Sequence, residues 1–155
     1  MENVYRQLGA YGLLIEDNKI LLIKKKTGPY DGLLDLPGGT IEFSERPIET
    51  LKREFKEEVG IDVLECTLLD SDSVFFDWYY NNELIKVHHV GIFYKITKYE
   101  GNILKDNIIT KVNDDSLGAE FYDINSLKES ELSAIVNLEL KKLKWFYVKF
   151  NYKLN

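Results

Sequence analysis

The sequence predicts a mixed α/β fold, a sandwich in which a β-sheet is packed between helices. Three features support it: short apolar runs near the N-terminus, an amphipathic stripe over 47–59, and a second helical stripe near the C-terminus. The 155 residues contain no repeat, low-complexity tract or Pro/Ser-rich linker. We therefore expect one domain over 1–155.

The first apolar runs predict a β-hairpin. The runs AYGLLI at 10–15 and KILLI at 19–23 are separated by polar residues 16–18, which favour a turn. Successive positions are apolar, so we expect strands that are covered on both faces. The Pro-Gly-Gly sequence at 37–39 follows, where glycine allows the main chain to approach a ligand.

The clearest predicted helix spans 47–59. Its apolar residues recur at intervals of three and four, as in Ile48, Leu51, Phe55 and Val59. Ser44 is the predicted N-cap, and Gly60 stands where a glycine typically ends a helix.

Beyond this helix, the pattern predicts further strands and a terminal helix. The predicted strands cover 63–69, 73–80, 84–97 and 119–122, and the Asn- and Asp-rich stretch 103–117 is predicted to be a loop. The long C-terminal helix carries apolar residues at helical spacing, namely Leu132, Ile135, Val136, Leu140, Leu143 and Tyr147. Its additional apolar face either packs on the domain or forms a homodimer contact.

Composition excludes several classes of protein. The chain is 45% hydrophobic and carries a net charge of −6, so it is neither disordered nor suited to binding duplex nucleic acid through its phosphates. Cys66 is the single cysteine, and no apolar stretch has the length of a membrane span or a signal peptide. We expect a cytoplasmic protein with no membrane association.

The polar side of the predicted helix carries Glu54, Glu57 and Glu58 at spacings that bring side chains together on a helix. Three neighbouring carboxylates repel one another unless a positive group lies among them. Mg²⁺ prefers such hard oxygen ligands and bridges carboxylates to phosphates. Arg53 is placed to hold Glu57, and the backbone carbonyl of Gly38 is a further candidate ligand. An isolated charged run of this kind is usually only a solvated helix face.

Here the run belongs to a longer pattern. Five residues separate Gly39 from Glu45, and seven more separate Glu45 from the pair Arg53-Glu54. The apolar Phe55 and one further residue lead to the pair Glu57-Glu58, and after one more residue come Gly60 and the apolar Ile61. This resembles the Nudix box, GX5EX7REUXEEXGU, with every fixed position matched. Tracts typical of the NADH-type and coenzyme A-type members are absent from the sequence, so the nearest resemblance is to MutT-like members.

The resemblance implies a Nudix hydrolase. It implies a sandwich of a mixed sheet between helices, with a loop-helix that carries the box, and Mg²⁺- or Mn²⁺-dependent hydrolysis of a pyrophosphate bond in a small nucleotide. By position, Glu54, Glu57 and Glu58 match the metal-binding carboxylates, Arg53 the arginine that orients one of them, and Glu45 a supporting glutamate. The metal would acidify a bound water and offset charge on phosphate oxygens.

Each candidate site residue outside the box also has a structural interpretation of equal or greater weight. The resemblance leaves the general base open between a box glutamate, such as Glu57, and a later carboxylate. Outside the box Glu120 is preferred over Glu100, Asp114 and Asp115, although an exposed strand carboxylate is the simpler interpretation of Glu120. Lys24 and Lys26 share one face of a strand and could reach phosphates, or could be solvated. Trp78, in the aromatic run 75–80, could stack on a base or join the core.

Two other functions remain open at this point. The first is a Nudix-fold nucleotide-binding or sensor module without turnover, which usually shows a degraded box. The second is an RNA 5′ pyrophosphohydrolase, which the lack of a strongly basic surface disfavours.

Overall fold

The computed structural model describes residues 3–105 and 116–151. In this part of the chain, eight strands and two longer helices follow one another: β1 (Val4–Leu13), β2 (Ile15–Glu16), β3 (Lys19–Lys25), β4 (Leu34–Asp35), β5 (Gly38–Thr40), α1 (Pro47–Glu54), β6 (Ile61–Tyr80), β7 (Glu83–Gly101), β8 (Ser116–Asp123) and α2 (Ala134–Asn151). A π-helical turn, Phe55–Val59, continues α1.

The strands form two four-stranded sheets. The first has the order β5-β1-β7-β6, in which β1 and β7 are parallel and the other pairs are antiparallel. In the second, β3 pairs with β2, β4 and β8. The predicted hairpin is confirmed only at its turn: Ile15–Glu16 pair with β3 around Asp17 and Asn18, which have positive φ. Residues 10–13, predicted as its first strand, belong instead to β1 in the first sheet.

Two apolar cores lie on opposite faces of the strands. Alternate residues of β1 and β3 divide between them: Ala10 and Leu21 belong to the core beneath α1, and Tyr11 and Leu22 to the core beneath α2. This alternation confirms that helices cover both faces, which is the predicted sandwich. It also explains why the strand sequences are apolar at successive positions.

The helix that follows β5 confirms the predicted stripe, but its start differs from the prediction. Leu51, Phe55 and Val59 are fully buried, and Gly60 ends the π-helical turn in the left-handed region at φ 85°. Ser44 is not the N-cap: it lies in a turn at φ 75°, and the cap is Arg46, whose backbone N–H donates to the Glu49 carboxylate at 2.8 Å.

The later strands are longer than the pattern predicted. The stretches 63–69 and 73–80 form one strand, β6, whose pairing with β7 is interrupted by bulges. Asn81 and Asn82 form the turn between β6 and β7, both at positive φ. Of the predicted loop 103–117, residues 106–115 lie outside the described part, and 116–117 already belong to β8.

The C-terminal helix is confirmed from residue 134 onward. Ile135, Val136 and Leu140 are buried against the strands, so one face packs on the domain, while Trp145 is exposed. A homodimer stays a prediction. Within residues 3–105 and 116–151, no helix combines the length and apolar character needed to cross a lipid bilayer.

Candidate active site

Three of the four box glutamates contact one arginine where β5 leads into α1. Arg53 Nε and Nη2 donate to the two carboxylate oxygens of Glu45 at 2.7 and 3.0 Å. Its Nη1 donates to Glu54 at 2.7 Å and more weakly to Glu57 at 3.5 Å. The sequence suggested Glu57 as the partner of this guanidinium, but its short bonds go to Glu45 and Glu54. The fourth glutamate, Glu58, lies in the π-helical turn.

Glu45 is the fixed anchor of this arrangement. Besides Arg53, the Thr50 hydroxyl donates to it at 2.7 Å and the Glu42 backbone N–H at 3.2 Å. The hydrogen bonds from Arg53, followed by that from Thr50, lower the pKa of Glu45 to about 2. Glu45 is therefore ionised throughout the neutral range, and it holds Arg53 where the guanidinium reaches Glu54.

Glu58 is tied to the strand that precedes the helix. Its side chain is buried, and the Gly38 backbone N–H donates to its Oε2 at 3.0 Å. The Ile41 N–H donates to the Leu8 carbonyl of β1. Because residues that bond to the neighbouring strand alternate along an antiparallel pair, the backbone groups of Gly38 and Thr40 face away from β1. Arg53 Nη2 reaches the Thr40 carbonyl at 3.4 Å on this edge. The Gly38 carbonyl lies on the same edge of the strand.

Two glycines let the helix lie close to the strands. A Cβ on Gly39 would lie 2.5 Å from Oε1 of Glu54, and a Cβ on Gly12 would lie 2.4 Å from the ring of Phe55. A side chain at either position would push the helix or its carboxylate away. The carboxylates are therefore held against the edge of β5 because these two positions lack side chains.

The donor chemistry of this cluster fits a divalent cation. Three of the four box carboxylates share a single guanidinium, the fourth accepts a backbone N–H, and all these groups offer hard oxygens. Among the residues that the structure describes, no three acidic, imidazole or thiol side chains are close enough together to enclose a metal ion as they stand. Glu54 is directed to Arg53 and Glu58 to Gly38, so ligation requires these side chains to reorient.

A cavity of about 890 Å³ opens beside the carboxylates, a size typical of small-molecule sites. Arg53, Glu54, Glu57 and Glu58 line one side of it. The remaining lining includes polar and aromatic side chains from β1, β3 and the segment after β3, among them Gln7, Tyr11, Lys25 and Tyr30.

A set of neutral, mostly buried groups lies along this second side. Tyr11 Oη lies 2.7 Å from His89 Nε2, Tyr30 Oη lies 2.9 Å from His89 Nδ1, and Gln7 Nε2 donates to Tyr11 Oη at 3.0 Å. Burial lowers the pKa of His89 to about 4. Burial, together with the nearby Asp35 carboxylate, raises the pKa of both tyrosines. All three rings are therefore uncharged at neutral pH.

Comparison with protein families gives a match to the NUDIX domain over residues 6–146. The chain belongs to the NUDIX domain family. Among solved structures, a MutT NUDIX hydrolase from Burkholderia pseudomallei aligns with a TM-score of 0.67 and 26% identity, over 88% of this chain and 97% of that one. A MutT protein from Bacillus halodurans aligns with a TM-score of 0.64 and 24% identity, over 87% of this chain and 80% of that one, and shows the same fold.

Curated relatives match in sequence. An ADP-ribose pyrophosphatase from Methanocaldococcus jannaschii is 34% identical over 116 residues, which is 75% of this chain and 61% of the relative. An 8-oxo-dGTP diphosphatase from Buchnera aphidicola is 33% identical over 95 residues, 59% of this chain and 64% of the relative. The matches span less than two thirds of the length of these relatives.

The NUDIX box residues lie together, but the candidates outside the box do not. Glu120 lies on β8 opposite Leu22, and Trp78 lies near the tip of β6 beside Tyr80, with ring centroids 4.9 Å apart. In the described part of the chain, the cavity lining does not include Glu120, Glu100, Lys24, Lys26 or Trp78. Asp114 and Asp115 lie outside the described residues.

The structure adds site residues that the sequence did not indicate. Lys25 lines the cavity of this NUDIX domain, whereas strand alternation had grouped Lys24 with Lys26. The pairing of β3 with β8 shifts register between Ile23 and Lys25, at the end of the strand where that alternation was applied. The Tyr11–His89 pair joins β1 to β7, and no local sequence signal predicts such a contact.

Proposed function

We propose that this NUDIX domain hydrolyses a pyrophosphate bond in a nucleoside triphosphate, or in a nucleoside diphosphate linked to another moiety, with Mg²⁺ or Mn²⁺ as cofactor. The observation that carries the proposal is the set of box glutamates on one side of a cavity of about 890 Å³. The names of the relatives, an ADP-ribose pyrophosphatase and an 8-oxo-dGTP diphosphatase, support the same reaction class.

In this proposal, Glu54, Glu57 and Glu58 hold the cation, with the Gly38 carbonyl as a further ligand. When bound, the cation supplies charge neutralisation for phosphate oxygens and acidifies a water. Arg53 orients Glu54, and Glu45 keeps Arg53 in place through their paired hydrogen bonds.

Hydrolysis adds one water across the P–O–P linkage and releases a proton, so a group must accept that proton. Glu120 is outside the cavity lining in the described structure. Among the three box glutamates, the Glu57 side chain is 42% exposed, against 16% for Glu54, and Glu58 is buried. We therefore assign the proton-accepting role to Glu57, whose carboxylate is the most accessible to an attacking water.

A substrate screen tests this function. ADP-ribose, 8-oxo-dGTP, ordinary nucleoside triphosphates, nucleotide sugars and dinucleoside polyphosphates are incubated with Mg²⁺, with Mn²⁺ or with EDTA, and the products are separated by chromatography. We expect metal-dependent release of a nucleotide from at least one compound, and rates at least about 100-fold lower for Glu57→Gln and Glu58→Gln.

Glu65→Gln is the matched control. Glu65 is an exposed carboxylate on β6 that pairs with Lys98 at 3.4 Å, outside the cavity lining, so wild-type rates are expected. Wild-type rates for both box variants would contradict the assigned roles. Tight nucleotide binding without turnover of any compound would favour a NUDIX binding or sensor module instead.

A further inference from the structure

A continuous chain of hydrogen bonds leads from β1 to the cavity. Gln7, Gly9 and Tyr11 share one face of β1. The ring of Tyr11 lies across Gly9, where an added Cβ would be 2.4 Å from Tyr11 Oη. The absence of a side chain at Gly9 thus allows the Tyr11 hydroxyl to reach both the Gln7 amide and the ring of His89.

The hydrogens in this chain follow from the requirement that buried polar groups be paired. Tyr11 is 1% exposed, and its oxygen already accepts a hydrogen bond from Gln7. Its own hydrogen is paired when it donates to His89 Nε2 at 2.7 Å. A neutral imidazole has one hydrogen, which then lies on Nδ1 and is donated to Tyr30 Oη at 2.9 Å.

Tyr30 is the last member of this chain of hydrogen bonds, and its own hydroxyl hydrogen has no acceptor within it. Its oxygen accepts the hydrogen bond from His89 Nδ1. The Tyr30 O–H hydrogen is therefore directed elsewhere, and Tyr30 lines the cavity. In the described part of the chain, His89 is the only side chain in hydrogen-bond contact with this hydroxyl.

Tyr30 lies on the far side of Tyr11 from the glutamates. In the sheet order β5-β1-β7-β6, Glu58 is bonded to Gly38 on β5, and Tyr11 lies on the neighbouring β1. Tyr30 lies over the other half of this sheet, where its hydroxyl contacts His89 on β7 and its ring stacks on Phe76 of β6 with centroids 5.3 Å apart. A pyrophosphate beside the box glutamates would leave the remainder of the substrate in the half of the cavity lined by Tyr30.

We propose that Tyr30 Oη donates a hydrogen bond to an acceptor oxygen on the non-phosphate part of the substrate, and that Gln7, Tyr11 and His89 position this hydroxyl. The inference rests on the proposed function and deepens it. It makes Tyr30 a specificity-determining residue: a substrate with an acceptor oxygen at this point binds more tightly than one without it. His89 is a positioning residue, because it acts through Tyr30.

Steady-state kinetics of Tyr30→Phe, on the best substrate of the screen, test the proposal. One neutral hydrogen bond to a part of the substrate that does not react contributes equally before and during the reaction. We therefore expect KM to rise about 3- to 12-fold with kcat within about twofold. Tyr99→Phe is the control, since its hydroxyl donates to Glu16 at 3.0 Å and does not line the cavity.

Two further measurements separate positioning from a general structural effect. His89→Leu should raise KM to a similar extent, and the double variant with Tyr30→Phe should have a KM close to that of Tyr30→Phe alone. KM effects that multiply in the double variant would contradict positioning through Tyr30. Competitive inhibition by inorganic pyrophosphate should be equal in wild type and Tyr30→Phe, and weaker inhibition of the variant would place the contact on a phosphate and overturn the proposal.

The proposed function and this inference fail in different ways. If the wild type hydrolyses a substrate and Tyr30→Phe has an unchanged KM, the inference alone is overturned. If the wild type hydrolyses none of the compounds, the function falls, and calorimetric binding of ADP-ribose to wild type and Tyr30→Phe tests the hydroxyl directly. Equal affinity, or no binding to either protein, then overturns the inference as well.

Discussion

Lowering the pH from 7 to 5 should destabilise the protein through His89. Its two ring nitrogens face the hydroxyls of Tyr11 and Tyr30, and the side chain is 1% exposed. Protonation would turn Nε2 into a donor and remove the acceptor for the Tyr11 hydroxyl, while adding a charge to a buried site. The folded state therefore resists protonation of this ring.

The size of the effect follows from the shift in pKa. Burial lowers the pKa of His89 from its ordinary 6.5 to about 4. Between these values the unfolded state binds more protons, so the free energy of unfolding decreases as the pH falls. The contribution of His89 is complete above pH 6.5 and is lost on the way to pH 4. It amounts to about 2 kcal/mol between pH 7 and 5, and about 3 kcal/mol over the whole window.

Urea unfolding at pH 7, 6 and 5 measures this contribution. The chain has two histidines, so His88→Gln is the matched control for His89→Gln, and both keep the carboxylates that titrate in the same range. Wild type and His88→Gln should each lose about 2 kcal/mol more than His89→Gln. An equal pH dependence in all three proteins, or an NMR titration of His89 near pH 6.5, would refute the reasoning.

Two more predictions concern the loop-helix. Arg53→Lys should lower kcat about 10- to 100-fold at saturating Mg²⁺, because an ammonium cannot hold both oxygens of Glu45 and also Glu54; an unchanged kcat in steady-state assays would count against this role. Gly60→Ala should lower the free energy of unfolding by about 1–2 kcal/mol, since φ is 85° and the new Cβ would lie 2.6 Å from Leu104 Cγ. Urea unfolding measures it, and a loss below about 0.5 kcal/mol would contradict the strain.

The sequence predicted the loop-helix well because its determinants are local. Apolar spacing alone identified Leu51, Phe55 and Val59 as core residues, and all three are fully buried. The start of the helix was mispredicted because its cap uses the backbone N–H of Arg46, a group that nearly every residue has. The informative side chain is Glu49, three residues later, which accepts that hydrogen bond.

The second side of the cavity depends on tertiary register and could not be predicted. Gln7 and His89 are neighbours only because β1 and β7 are parallel in one particular alignment. A shift of one residue in that pairing would turn His89 to the other face of the sheet. Adjacent residues of a strand, such as His88 and His89, lie on opposite faces, but the sequence contains nothing that selects His89 as the buried one.

Substitutions on the two sides of the cavity should therefore have different effects. The glutamates and Arg53 occupy a short continuous segment, and substitutions there alter the charge balance on which the proposed cation binding depends. Tyr30, by contrast, meets the cavity through a chain of neutral groups from separate elements. Replacing one neutral group leaves the carboxylates intact, so substrate preference can change without loss of the reaction. The relatives are named for different nucleotides, ADP-ribose and 8-oxo-dGTP, and this division is one physical route to such a difference.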